Sequence, residues 1–480
     1  MIVTDKSSSK GVGCKLKRTA KYVYISFVVL MFIGLGTKVK MEEHHAHTRK
    51  NLYERPKVAQ NNLIVHRISD SNGPVHVLGM RRFPYPYDSM LAISSDADHE
   101  TLRKFILIHE FINTREKTPF GYYGLGLPFA DSFFMYNGSD INSPVDVGNT
   151  PITQEMSWFQ GVSNQQSDAT EINHYIKCGW IDTLHSFGDF SRQNQWTTLF
   201  SRQLAVRAIN TLEENDDYLT VWTDHGNQSN VDNFGSYGTT PFYKYQLGAT
   251  PKTPYYHTDL TIPYGVRFVW PDGNSDVFGH TSMIYPITLP DGRKVWGFYR
   301  YTSTGYTSNG DPKWDWSVGN LSQQLTPQNL ESLEKSHDYC IIAQHLEAIN
   351  TKLPLPPNAI DALWLLARQY DEKKILVATT SHLLNYNVTQ QYLHYDITYT
   401  DSRAYIHINN VSDPVDGTYT PTITDLRGVT FYTSDPSRTT IEIGNSPVPK
   451  SYVEYNPSDG IAPSIGISWF AWNTTNYADD

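Results

Sequence analysis

Ser89-Met-Leu-Ala-Ile-Ser-Ser-Asp96-Ala-Asp98-His-Glu-Thr-Leu-Arg-Lys-Phe105 decides how the fold is read. Met90 to Ile93 is a short apolar run of the kind that fills one buried strand of a parallel sheet. Directly after it, Leu102, Phe105, Ile106, His109 and Ile112 recur on one face at helical spacing. Asp96 and Asp98 lie between the two elements. If the strand extends to Asp98, both carboxylates project from one face at its carboxyl end. In sheets and barrels of alternating strands and helices, ligands and chemistry gather at that end. A plainer role stands beside this one, with Asp98 capping the following helix and Asp96 in a solvated turn.

The same alternation continues downstream. Ala169 to Cys178 reads as a helix, as do Leu199, Phe200, Leu204, Ala208 and Leu212. Tyr218 to Trp222 reads as a strand, ended by Thr223-Asp224-His225-Gly226-Asn227. Thr326-Pro327 opens a helix, with proline at a first helical position. Tyr339 to Gln344 is a strand ended by His345; Ala359, Leu363, Trp364, Ala367 and Tyr370 mark a helix; Ile375 to Ala378 is a buried strand. This order predicts right-handed crossovers and a parallel sheet that closes into a distorted (β/α)7-type barrel. Residues 114–170, rich in Gly, Pro, Asn and Ser, are too long for a connection and are predicted to be an inserted excursion of loops and short strands. Residues 235–325 are β-like, with turns at Pro271-Asp272-Gly273 and Pro290-Asp291-Gly292. Within them Thr258 to Trp270, flanked by His257 and carrying Asp259 and Arg267, reads as another barrel strand with its loop. From about Tyr395 the pattern alternates (Ala404 to Ile408, Val429 to Tyr432, Thr440 to Ile443), which predicts an antiparallel β-sandwich.

Six cations (Lys6, Lys10, Lys15, Lys17, Arg18, Lys21) and one acid, Asp5, precede the apolar run Tyr22 to Gly36. That run is short for a membrane span and suits a signal-peptide core. No small-residue cleavage site follows, and the basic flank favours a cytoplasmic amino terminus. The expectation is a single-pass signal anchor at the cell membrane, with the catalytic part exported to the periplasmic or extracellular face; a cleaved signal is the alternative. The predicted domains are residues 1–21 as cytoplasmic tail, 22–37 as anchor, 38–80 as a polar stalk, 81–390 as barrel with β-rich insertions and 391–480 as sandwich. His44, His45 and His47 in the stalk read as solvated. A net charge of −10 argues against nucleic acid as a partner. Three cysteines make neither a disulfide scaffold nor a zinc motif. Aromatic residues are 13% of the chain; they stack on sugar rings and also fill β-domain cores, so composition does not separate the two uses.

Gly179-Trp-Ile-Asp-Thr-Leu-His185-Ser-Phe-Gly-Asp189 supplies a second cluster. On a helical turn His185 and Asp189 share a face and reach one cation, and imidazole with carboxylate suits zinc or a similar divalent metal.

Taken together, these stations resemble the polysaccharide deacetylase family. Its pattern is a strand ending in two aspartates, a glycine six residues before His-Ser/Thr-x-x-His, and a late strand ending in histidine. Asp96 and Asp98 resemble the first motif, Gly179 with His185-Ser-Phe-Gly-Asp189 the second, and Ile341-Ile-Ala-Gln-His345 the last, over roughly residues 88–385. The resemblance implies Asp96 as general base, Asp98, His185 and Asp189 as ligands of a divalent metal ion such as zinc, and His345 as general acid. Asp224, His225, His257 and Arg267 are then candidates for binding the polysaccharide substrate. The chain departs from the family by placing Ala97 between the aspartates and Asp189 where a second histidine stands. Thr223-Asp224-His225-Gly226 occupies about the place of its Arg-x-Pro-Tyr motif.

The expected activity is hydrolysis of N- or O-acetyl groups on an exported polysaccharide. Separated aspartates equally suit a glycoside hydrolase, or a glycan-binding protein on the same barrel. Asp-His-Gly at 224–226 is also used by the alkaline phosphatase and sulfatase superfamily, but no nucleophile motif follows the first strand.

Overall fold

The described chain opens with β1 (Val77–Met80) and β2 (Ser89–Ser95). Every residue of β2 is buried, because β15 (Ile375–Val377) and β14 (Tyr339–Gln344) flank it in parallel and both its faces are covered. Helix α1 (Leu102–Asn113) follows, capped by the Thr101 side chain, which accepts from the Lys104 amide at 3.4 Å. It buries Phe105, His109 and Ile112 of the predicted face, with Ile108 beside them, while Leu102 and Ile106 are half-buried. His109 is a core residue, stacked on Trp180 at 4.9 Å and bonded to Asn113 at 2.6 Å.

The computed structural model describes residues 73–137, 154–190, 198–225, 230–235, 246–348, 351–400 and 402–478. The predicted tail and anchor, and the stalk up to residue 72, lie outside them. Among the described residues no helix is long and apolar enough to cross a membrane.

The architecture is mixed α/β. Core strands lie in two sheets, and among the described residues no barrel closes. In one, β4 (Ser157–Phe159), β3 (Asp131–Tyr136), β5 (Ile181–His185), β6 (Val221–Thr223), β7 (Phe268–Trp270) and β10 (Lys294–Phe298) run parallel in that order, with β9 (Ile284–Thr288) antiparallel at the edge. The other has the order β15, β2, β14, β11 (Arg300–Tyr301) and β8 (Asn274–Ser275), all parallel. At the seam between β2 and β3 no ladder forms. A bulge at Asp131/Ser132 bends β3, and contact passes through the Ser132 hydroxyl, which donates to the Ser95 carbonyl at 2.9 Å.

Several expected elements appear close to where the sequence places them: α2 (Ala169–Cys178), α3 (Arg202–Glu214), α5 (Pro327–Ser336) and α6 (Pro357–Asp371). Thr258 to Trp270 splits into a helix, α4 (Thr258–Tyr264), and the strand β7. The predicted excursion 114–170 contains β3, a fully buried core strand.

Two more sheets follow α7 (Thr380–Tyr392). In one, β1, β19 (Thr430–Thr433), β23 (Ser464–Ile467) and β22 (Val453–Asn456) pair antiparallel, so β1 belongs to this sheet and not to a stalk. The other is built on β16 (Leu393–Thr400), β17 (Arg403–Asp413) and β20 (Thr439–Ile443); β17 and β20 run parallel, a departure from the predicted pairing. Ile406, Ile441, Phe431 and Ile465 share one core with Met90 and Tyr339 of the parallel strands. Cys178 and Cys340 do not pair with each other.

Candidate metal centre

Parallel strands bring their carboxyl ends to one place. Asp96 and Asp98 leave β2, His185 is the last residue of β5, His225 stands just past β6 and His345 just past β14. The Asp96 amide still bonds the Gln344 carbonyl at 2.8 Å, which holds the two strand exits side by side.

Asp98 is the hub. Its Oδ2 accepts from His185 Nε2 at 2.8 Å and its Oδ1 from His225 Nε2 at 2.6 Å. Each imidazole is held from behind. His185 Nδ1 meets the Thr223 hydroxyl at 2.7 Å, and His225 Nδ1 faces Asp189 Oδ1 at 3.7 Å. Phe134 of β3 stacks on His185 at 5.0 Å and meets His225 edge-on. Burial opposes ionisation of Asp98, but the two imidazoles overcome it and hold its carboxyl well below the usual range. Burial likewise lowers His225, yet Asp98 and Asp189 raise it to about 10.

The second half of the site is built on Asp96. Arg300 grips both its oxygens, Nη1 to Oδ1 at 2.6 Å and Nη2 to Oδ2 at 2.8 Å, while its guanidinium lies 3.6 Å over the Trp270 ring. This fork outweighs burial and keeps Asp96 anionic, far below the ordinary carboxyl range. His345 Nε2 stands 3.6 Å from Asp96 Oδ2 and 3.7 Å from Asp98 Oδ2. Against the pull of burial, both carboxylates raise its pKa and favour the imidazolium. These groups face a cavity of about 440 Å³, which Trp314 and Trp316 also line.

Asp98, His185 and His225 each offer one ligand atom, and these lie within 4.8 Å of one another. Two imidazoles and one carboxylate, with the far ring nitrogens held by other groups, fit a zinc-type centre. Asp96, Asp98 and His345 also fall within that limit, but the Arg300 fork occupies both oxygens of Asp96. The first set therefore fits a cation better.

The geometry corrects four sequence assignments. Asp189 is not grouped with Asp98 and His185: residues 185–189 leave a strand and are not a helical turn, and Asp189 lies behind His225. Asp224 is buried on the other side of the chain, its Oδ1 accepting from Trp222 Nε1 at 2.8 Å and the Phe234 amide at 3.0 Å. Neighbours on extended backbone face opposite ways, so His225 enters the site and Asp224 does not. His257 is a core residue, bonded to the Asp232 carbonyl at 2.7 Å among Trp222, Phe187 and Phe234. Arg267 bonds Asn385 at 2.9 Å and pairs with Asp413 and Asp416, tying β7 to the C-terminal sheets. Arg300, Thr223 and Phe134 escape a reading of the sequence. The available signal for Arg300 is a lone cation in an aromatic run, Trp296 to Tyr301, which demands a buried partner.

Beside the centre, Glu100, Asp131 and Glu347 are buried carboxyls. Burial and mutual repulsion push Glu100 and Glu347 well above their ordinary values, and burial, with Asp96 adding, raises Asp131 to about 7. A raised folded pKa gives stability that is complete below the unfolded value and lost as pH rises through the folded one. The contribution of these carboxyls to stability therefore falls from about pH 4 to above pH 7, read by circular dichroism melting in chelator as the difference between wild type and Asp131→Asn. Asp131→Asn, which keeps the acceptor for the Ser132 amide, flattens that decline; an unchanged slope contradicts the assignment.

No protein-family model matches this chain, and no curated protein matches it.

Proposed function

We propose that the chain is a metal-dependent hydrolase that removes N- or O-acetyl groups from an exported polysaccharide. In this reading parallel strands drawn from the two sheets are the staves of a distorted (β/α)7-type barrel that stays open between the sheets, and the C-terminal sheets are a sandwich. The observation that carries it is the convergence of Asp98, His185 and His225 on one spot, with an anionic Asp96 beside them and His345 facing both carboxylates. This is the arrangement that the resemblance to polysaccharide deacetylases implies, with His225 in the place expected of Asp189.

Asp98, His185 and His225 would hold the ion, which when bound lowers the pKa of a water and polarises a carbonyl. Asp96 takes the proton of the attacking water. Arg300 makes it a weak base, but fixes both its oxygens so that its geometry costs nothing at the moment of reaction. His345, whose imidazolium form the two carboxylates favour, donates its proton to the leaving nitrogen or oxygen. Glycoside cleavage is the weaker reading, since it requires one protonated carboxyl of a pair and both Asp96 and Asp98 are held as anions.

The test is product analysis of the zinc-loaded chain on an N-acetylglucosamine oligomer and on acetylated xylan. Free acetate with intact chain length is the expected product. Shortened chains without acetate overturn the reading in favour of a glycosidase, and no product at all overturns the enzyme.

A further inference from the structure

We propose that Trp314 is the stacking platform for a second sugar ring, so that the substrate is a glycan of at least two rings. The chemistry rests on the deacetylase reading; the platform rests on separate observations.

Trp314 ends the hairpin made by β12 (Ser303–Tyr306) and β13 (Pro312–Trp314), which belongs to none of the larger sheets. It is 37% exposed, packs in neither hydrophobic core and has no aromatic partner among the described residues. A singly exposed indole is ordinary on a protein surface; what sets Trp314 apart is that it lines the cavity of the centre. Its position is nevertheless held. Ser303 pairs with Trp314, Tyr306 Oη donates to Asp276 at 2.9 Å, and the Asp315 amide donates to the Thr302 carbonyl at 3.2 Å. One step on, the His345 amide donates to the Trp316 carbonyl at 2.7 Å. The hairpin thus hangs Trp314 over the same cavity that contains Asp98 and His345.

An indole face takes the CH-rich face of a pyranose, while Asp272 and Asn274 in the same lining offer hydrogen bonds to hydroxyls.

The test compares wild type, Trp314→Ala and Trp314→Phe in the full zinc-loaded chain. Substrates are an N-acetylglucosamine tetramer and 4-nitrophenyl acetate, which has no ring to stack beyond the reacting group. For Trp314→Ala the KM for the tetramer is expected to rise about tenfold, with kcat within about twofold and the small ester unaffected. Trp314→Phe restores most of the loss. An unchanged KM for the tetramer, or an equal loss on both substrates, overturns the platform. If wild type releases no acetate, the deacetylase reading fails by itself. The platform is then decided by tetramer titration followed by tryptophan fluorescence. A signal in wild type that is lost in Trp314→Ala supports it; no binding, or equal binding, overturns it.

Discussion

His225→Ala is expected to empty the metal centre and lower kcat/KM by about 10³-fold or more. Water activation by a bound ion supplies several kcal/mol, and each 1.4 kcal/mol is tenfold in rate. His225 and His185 approach the two oxygens of one carboxylate, so loss of either leaves too few donors for a closed grip. Asp189→Ala is the informative contrast. Asp189 faces the rear nitrogen of His225, which makes it an orienting group. Its loss is expected to weaken zinc affinity by about 10–100-fold while saturating zinc restores the rate. Zinc titration by isothermal calorimetry, run beside acetate release, separates the two. If Asp189→Ala loses its metal outright and His225→Ala retains it, the ligand set is that of the sequence reading.

Arg300→Met removes the only fork on Asp96 among the described residues. A carboxylate left buried without its partner costs about 3–5 kcal/mol of stability, read as a lower urea midpoint at neutral pH. With the guanidinium gone, only His185 and His345 oppose burial, and the carboxyl of Asp96 rises. Wild-type Asp96 is ionised throughout the working range; in the variant it takes up a proton as pH falls, so the acid limb of kcat/KM moves up by at least about one unit. The looser geometry costs a further ~10²-fold in rate. Arg300→Lys keeps the charge but not the fork, and is expected to recover the pH limb more than the rate. A pH profile identical to wild type in Arg300→Met contradicts the role given to Asp96.

These two expectations show what a sequence reveals of such a site. Asp96, Asp98 and His345 are legible because each stands past an apolar run, and β2 and β14 are buried on both faces; His185 is reached only through its spacing from Asp189 and the family resemblance, since β5 is interrupted by Asp182 and Thr183. Asp189 misled because a four-residue spacing has meaning only on a helix, and Ser186, at φ +47°, turns the chain out of the strand instead. His225 was legible as a polar residue past a strand, but which of Asp224 and His225 faces inward depends on strand register. Arg300 meets Asp96 across 204 positions of sequence, a distance no local pattern spans. β3 was read as part of an insertion because residues rich in Gly, Pro and Asn surround it; neighbours on both sides, β4 and β5, make it a strand.

The most direct test is anomalous diffraction at the zinc edge from crystals of the chain loaded with one equivalent of zinc. The account predicts one strong peak about 2.0–2.2 Å from Nε2 of His185, Nε2 of His225 and a carboxylate oxygen of Asp98, with Asp189 outside bonding distance. No peak there, or one bound through Asp189 and not His225, contradicts it.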